Sequence, residues 1–332
     1  LLYSALFYLA RPLVWLRLLW RGRKQPEYRQ HIGERYGFYR SRPQAPVIWL
    51  HAVSVGETRA AEPLIAALLA RHPQHTLLLT HMTPTGRETG RMYLDRHPGR
   101  VMQAYLPYDL PDAAARFLAH FRPQLGLFME TELWPNLIAA AKMRRIPLAL
   151  VNARLSEKSA RGYARFAALS QPAFAALDAV TAQTADDARR LAALGANTPR
   201  VTGNIKFDVT PPPEKLAQGA NWRAEIGGRP VWLAASTREG EETLILDAIA
   251  SLPERTLLIL VPRHPQRFEE VARLVQTRGL RLKRRSVGEL PNADTQVWLG
   301  DSMGEMAAWY AAADVALIGG SLLPFGGQNL IE

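Results

Sequence analysis

The chain has 332 residues, 48% of them hydrophobic, which excludes a disordered chain and suits two domains better than one core. It contains no cysteine, so disulfides and thiolate metal sites are excluded. The formal charge is +11, and residues 1–45 hold nine Lys and Arg against only Glu27 and Glu34, so most of the excess sits in one short segment.

That segment opens with LLYSALFYLARPLVWLRLLWRGRK. Arg11, Pro12 and Arg17 interrupt it before it reaches the ~18 apolar residues of a clean span. Arg17, Arg21 and Lys24 fall at i, i+4, i+7 on one helical stripe, among Phe7, Trp15, Trp20 and several leucines. A basic stripe on an aromatic-rich helix reads as an interfacial anchor over residues 1–45. The alternatives are a true span, an ordinary helix packed on the domain and, less well supported without a small-residue cleavage site, a signal peptide. A basic excess beside an apolar stretch points to anionic lipid. No aromatic–basic strand motif of the single-strand binders is present, so nucleic acid is not an expected partner.

From residue 46 onward, short apolar runs alternate with segments of 3.6-residue periodicity. The runs lie at 46–53, 75–82, 101–107, 124–130, 147–153 and 178–184, with helical patterns such as 60–72 and 135–145 between them. This alternation predicts a parallel α/β sheet over 46–210. The stretch VTPPPEK then breaks the pattern, because three consecutive prolines cannot continue a helix or a central strand, and 211–216 is the expected linker. The alternation restarts with runs at 229–236, 255–262, 295–301 and 314–320, giving a second unit over 217–332. The expected fold class is α/β: two Rossmann-like, doubly wound domains facing a cleft, behind a helical apolar N-terminal segment. With about four strands in the second unit, the C-terminal domain is expected to be truncated.

Ligands of doubly wound sheets bind at the carboxyl ends of the strands, so the strand-end loops are where chemistry is sought. After the first run comes His51-Ala-Val-Ser54-Val-Gly56-Glu57. Glu57 reads either as a first-turn acid complementing a helix dipole or as a general base. Thr83-Pro84-Thr85-Gly86-Arg87 is a capped helix entry, also suited to an anion. Met129-Glu130-Thr131-Glu132 puts two acids at a strand end with no third ligand nearby, which argues against a metal. Pro262-Arg263-His264 offers cations for a phosphate or a carboxylate. Gly319-Gly320 and Gly326-Gly327-Gln328-Asn329 let backbone N–H groups meet a phosphate, in neither the dinucleotide nor the ATPase spacing.

At these residues the sequence resembles the Kdo transferases of lipopolysaccharide assembly, inverting GT-B glycosyltransferases. The stretches that carry the resemblance are HAVSVGE (51–57), TPTGRE (83–88), METELWPN (129–136), NARLSEKS (152–159), GNIKFD (203–208), VPRH (261–264), GDSMGEM (300–306) and IGGSLLPFGGQNLIE (318–332). They occur in family order over nearly the whole chain. The resemblance implies CMP-Kdo as donor and the acylated, phosphorylated lipid A precursor as acceptor. It implies action at the cytoplasmic face of the inner membrane, with membrane lipid as a further partner, and neither cofactor nor metal. It makes Glu57 the catalytic base, with Glu130 and Lys206 supporting the transition state. It assigns the donor to Pro262, Arg263, His264, Met303, Gly304, Glu305, Gly319, Gly320, Asn329, Leu330, Ile331 and Glu332. From charge and loop position, Ser54, Arg59, Thr85, Arg87 and Arg154, with Arg42, are expected to meet the acceptor. Other GT-B enzymes, such as UDP-sugar transferases or epimerases, are the nearest alternative, and a non-catalytic membrane adaptor is the second. The retained Glu57, Glu130 and Lys206 argue against the adaptor.

Overall fold

The computed structural model describes residues 2–208 and 210–326. The chain divides into two compact units, Leu1–Val209 and Thr210–Glu332.

The first unit begins with two helices, Leu2–Leu9 and Arg11–Lys24, bent by 47° at the break before Pro12. Among the described residues no single helix is long and apolar enough to cross a membrane, although this bent pair passes that test by length and composition. The second helix lies on the unit through Leu18 and Gly22, one turn apart, while Trp15 stacks on Tyr36. Tyr3 Oη donates to Asp109 Oδ2 (2.9 Å) and Ser4 Oγ to Asn136 Oδ1 (2.8 Å), fastening the first helix. Leu2, Leu6, Leu9, Leu13, Leu16 and Trp20 remain exposed.

Seven strands follow: β1 (Val47–His51), β2 (Thr76–His81), β3 (Val101–Tyr105), β4 (Pro123–Met129), β5 (Leu148–Ala153), β6 (Ala179–Ala182) and β7 (Arg200–Val201). They form one parallel sheet in the order β3-β2-β1-β4-β5-β6-β7. Both faces are covered, which is why β1 and β2 are apolar runs rather than alternating ones. Along β1, Val47 and Trp49 enter one core with Phe117 and Phe128, while Ile48 and Leu50 enter the other with Ile65 and Leu79. The winding direction reverses between β1 and β4, and that is the switch point where such sheets take ligands.

The second unit contains β8 (Val231–Thr237), β9 (Leu257–Pro262), β10 (Leu282–Arg284), β11 (Val297–Leu299) and β12 (Val315–Ile318), all parallel, in the order β10-β11-β9-β8-β12. Its winding reverses between β8 and β12. Trp222, Trp298 and Trp309 pack together on one face, with ring centroids 4.3–5.1 Å apart. The helix Pro213–Ile226 opens on the third proline of the run, so the last part of the expected linker is that helix's first turn. A proline that cannot continue a helix is well placed to begin one, because its missing N–H is unneeded there.

Candidate active site

At the carboxyl end of β1 the chain turns into the helix Val55–Ala60, with Ser54 as its N-cap. Ser54 Oγ donates to Glu57 Oε1 (2.9 Å) and accepts from the Glu57 backbone N–H (3.4 Å). Glu57 Oε2 accepts from the Val53 backbone N–H at 2.8 Å. This is a variant of the reciprocal cap of a serine and a glutamate three residues on, in which the carboxylate takes the N–H before the cap rather than the cap's own. The cap that completes the helix thus also fixes the Glu57 carboxylate in direction. Burial pushes its pKa up, the hydrogen bonds from Val53 and Ser54 oppose this, and the nearby Glu130 charge adds to the rise. A Cβ at Gly56 would meet only Ser54 Oγ, at 4.0 Å, so the space over this turn is open.

Across the switch point, β4 ends at Met129 and Glu130 follows with φ +56°, a left-handed conformation rare for a residue with a side chain. Asn152 at the end of β5 and Ser236 at the end of β8 share it, with φ +54° each, and a register shift accompanies both. Strain and bulges at strand ends re-aim side chains, and they mark candidate sites. The Glu130 N–H donates to Val151 O (3.0 Å), and Thr131 Oγ1 donates to Arg154 O. At the other end of this loop, Asp109 accepts from Asn136 N (3.0 Å) and Leu137 N (2.9 Å). Glu132 lies between these clamps. Burial, then the charge of Glu57, then that of Glu130 push its pKa to about 7, against the pull of the Trp134 indole. The Trp134 ring meets His51 edge-on at 5.9 Å. His51 is fully buried, and desolvation drives its pKa down to about 3, so it is a neutral ring under the site and no acid or base at physiological pH.

Lys206 stands on the turn Ile205–Asp208. The Ile205 N–H donates to Asn152 Oδ1 (3.1 Å), the Lys206 N–H to Asn204 Oδ1 (3.0 Å), and Asn204 Nδ2 to Gln183 Oε1 (3.2 Å), while Gln183 Nε2 donates to Asn152 O (3.1 Å). These amides bring the Lys206 backbone from the far edge of the sheet to the end of β5, the strand paired with the one that carries Glu130. Of the residues expected to meet the acceptor, Ser54 is the cap just described, while Arg59, Thr85, Arg154 and Arg42 are exposed. Arg87 is otherwise committed: it pairs with Glu34 at 2.6 Å and lies 4.8 Å from the centre of the Tyr105 ring.

In the second unit, Pro262 ends β9 and Arg263 and His264 follow it, Met303–Glu305 follow β11 and Gly319–Gly320 follow β12, all at the carboxyl edge of one sheet. Met303 and His264 are exposed. Glu305 is buried and accepts from Gln218 Nε2 (2.7 Å), Arg285 Nη2 (2.9 Å) and Ser302 Oγ. Burial alone would raise its pKa; these partners together hold it below the usual carboxylate value. A Cβ on Gly319 would stand 2.1 Å from Ser236 O, so only glycine lets β12 lie so close to β8. Gly320 has φ +78° and donates its N–H to Glu241 Oε2 (2.7 Å). Glu241, fully buried, also accepts from the Leu322 (3.0 Å) and Arg238 (2.8 Å) N–H groups. Asn329, Leu330, Ile331 and Glu332 lie outside the described residues.

Sequence reasoning missed Asn152, Glu241 and Arg285, which depend on partners distant in sequence. It named Glu132, as the second acid of Glu130-Thr131-Glu132, but only in setting a metal aside.

An acid fixed at the switch point of one doubly wound unit, and a second such unit with glycines, an arginine and a histidine at its strand ends, are the working parts of a glycosyltransferase. The sequence matches the family model of the 3-deoxy-D-manno-octulosonic-acid transferases (kdotransferases) over residues 30–209. It is 47% identical to a 3-deoxy-D-manno-octulosonic acid transferase of Bordetella pertussis, over 97% of this chain and 77% of that one. It is 41% identical to the Haemophilus influenzae protein of the same name, over 99% and 78% respectively. Among solved structures, the C-terminal CMP-Kdo binding domain of WaaA from Acinetobacter baumannii is 42% identical, with a TM-score of 0.34, over 35% of this chain and 64% of that one. The chain belongs to the 3-deoxy-D-manno-octulosonic acid (Kdo) transferase family, and it is a glycosyltransferase.

Proposed function

We propose that the chain transfers Kdo from CMP-Kdo to a sugar hydroxyl of the lipid A precursor, with inversion at the anomeric carbon, at the cytoplasmic face of the inner membrane. The names of its relatives support the sugar and the donor. The single observation that carries the mechanism is the Glu57 carboxylate, held by Val53 N–H and Ser54 Oγ with its basicity raised by burial. A base works best when its pKa lies near the working pH, and it needs a fixed direction. In the reaction, the acceptor oxygen bonds to the anomeric carbon as its proton passes to Glu57. The bond from that carbon to the CMP phosphate breaks, and its electron pair leaves with CMP. Lys206, brought to the end of β5, is suited to stabilise the negative charge that develops. Glu130 is assigned a supporting role by its position in the family motif.

In this reading Pro262–His264, Met303–Glu305, Gly319–Gly320 and residues 329–332 hold the donor, and the chemistry needs no metal. Ser54, Arg59, Thr85 and Arg154 remain candidates for the acceptor; Arg87 serves there only if the acceptor displaces Glu34. The exposed leucines and Trp20 of the bent helix pair, with Arg17 and Arg21 beside them, suit contact with an anionic membrane surface. The test is incubation of the full-length protein with CMP-Kdo and a tetraacylated lipid A precursor in detergent and EDTA, read by mass spectrometry. A product heavier by one or more Kdo residues is expected, and their number defines how many additions the enzyme makes. A folded protein that gives no product contradicts the reading.

A further inference from the structure

The turn that carries Lys206 follows β7, at the far edge of the first unit's sheet, yet it is tied to the end of β5 by a chain of side-chain amides. Asn152, the last residue but one of β5, accepts the Ile205 N–H on its Oδ1 (3.1 Å), one residue before Lys206. Its backbone O accepts Gln183 Nε2 (3.1 Å), and its own N–H donates to Thr181 Oγ1 (3.2 Å). Gln183 Oε1 accepts Asn204 Nδ2 (3.2 Å), and Asn204 Oδ1 accepts the Lys206 N–H itself (3.0 Å). The Ile205 side chain packs against the core that contains Met129, the residue before Glu130. Among the described residues Lys206 forms no ion pair that would aim it, so its placement falls to these ties on its backbone.

Asn152 is kept at a cost to the fold. Its backbone is left-handed, with φ +54°, which strains any residue with a side chain, although asparagine bears it best. Its Nδ2 has no hydrogen-bond partner although the residue is only 4% exposed, and an unpaired buried donor is unfavourable. Strain and an orphan donor at one strand end persist where the surrounding structure needs that residue for a site. We propose that Asn152 is a positioning residue of the transfer: with Gln183 and Asn204, it holds the Lys206 turn at the end of β5, next to the strand that leads into Glu130, and so sets where the ammonium stands when the bond to CMP breaks. The proposal rests on Lys206 stabilising the leaving group.

A double-mutant cycle on the full-length protein tests it, with CMP-Kdo and the lipid A precursor as substrates. Asn152→Gly keeps the left-handed backbone without steric cost and removes the side-chain amide. Its kcat is expected to fall about 10–100-fold while the KM for CMP-Kdo stays within about threefold, because a displaced group costs rate rather than binding. Lys206→Ala should lose about 10²–10³-fold in kcat. Adding Asn152→Gly to Lys206→Ala should then change kcat by less than about threefold, since nothing is left to position. A second full loss in the double variant overturns the proposal, because the amide then acts through the fold and not through Lys206. An unchanged kcat in Asn152→Gly overturns it too. Gln183→Met removes the middle amide, leaves the strained residue in place, and serves in the same cycle where Asn152→Gly does not fold. Hydrogen–deuterium exchange over residues 203–208 reads the ties without substrate. The Ile205 and Lys206 amides are expected to be protected in wild type and to exchange at least about tenfold faster in either amide variant. Equal exchange in wild type and variants overturns the proposal. If exchange behaves as expected but Lys206→Ala keeps the wild-type kcat, the role given to Lys206 is what fails, and the proposal falls with it. The expected exchange in a wild-type protein that transfers no Kdo puts the failure in the assigned reaction and not in the amide chain.

Discussion

The two units hold their strand-end acids in opposite ways. In the first unit, Glu57, held by Val53 N–H and Ser54 Oγ, and Glu132, beside the Trp134 indole, follow β1 and β4 with no ion pair among the described residues, and burial raises both. In the second, Glu241 at the β8/β12 switch point accepts three backbone N–H groups, and Glu305 takes Arg285, Gln218 and Ser302. Both lie below the usual carboxylate value, because these bonds outweigh the cost of burial. A carboxylate satisfied by fixed donors is scaffold: it shapes a loop and stays ionised. A carboxylate left short of donors keeps its affinity for a proton. On the proposed function, the difference separates a unit that handles the proton from one that shapes a surface for the leaving nucleotide.

Removing a scaffold acid should cost the most stability. Glu241→Ala leaves the Arg238, Gly320 and Leu322 N–H groups without their acceptor, and a loss of roughly 3 kcal/mol or more is expected in denaturant unfolding of the second unit. If the variant unfolds like wild type, Glu241 is not a tie that holds the second unit together. Next comes Gly319→Ala, which forces the β12 backbone away from Ser236 O and should cost about 1–3 kcal/mol, with the amides of β8 and β12 exchanging faster.

The first unit should answer with the opposite sign. The folded-state pKa of Glu132 is raised, so its favourable contribution is present below the ordinary glutamate value and is lost as pH rises through about 7. Glu132→Gln removes that charge. Its melting temperature should rise relative to wild type at pH 8, equivalent to roughly 1–3 kcal/mol, and the gain should shrink towards pH 5. Destabilisation at both pH values would show that Glu132 is a scaffold acid too, and the contrast between the units would fall.

Much of this was legible in the sequence. The apolar runs marked β1 to β6 and β8, β9, β11 and β12; β1, β2, β9 and β11 are buried on both faces and have nowhere to hide polar residues, while β12 is an apolar run that stays largely exposed. β7 and β10 escaped because two or three residues carry no periodicity. The position of Glu57 after an apolar run announced a helix entry with an acid in its first turn, but not the Ser54 cap that holds it. Two further things were not legible. Arg87 was counted as a free cation, and its partner Glu34 lies 53 residues earlier, beyond any local pattern. Glu132 read as one half of a poor metal pair, because its neighbour Glu57 comes from another strand end. Charge coupling across a switch point is a property of the sheet order, which no local window of sequence displays.

The most direct test of the account is Glu57→Gln, assayed for Kdo transfer and for CMP-Kdo binding on the same preparation. The account predicts a loss of kcat of about 10²–10⁴-fold with donor affinity nearly unchanged, since it assigns the donor to the second unit, apart from Glu57 in the first. Turnover within a few-fold of wild type would contradict it, and would mean that the proton leaves the acceptor by another group.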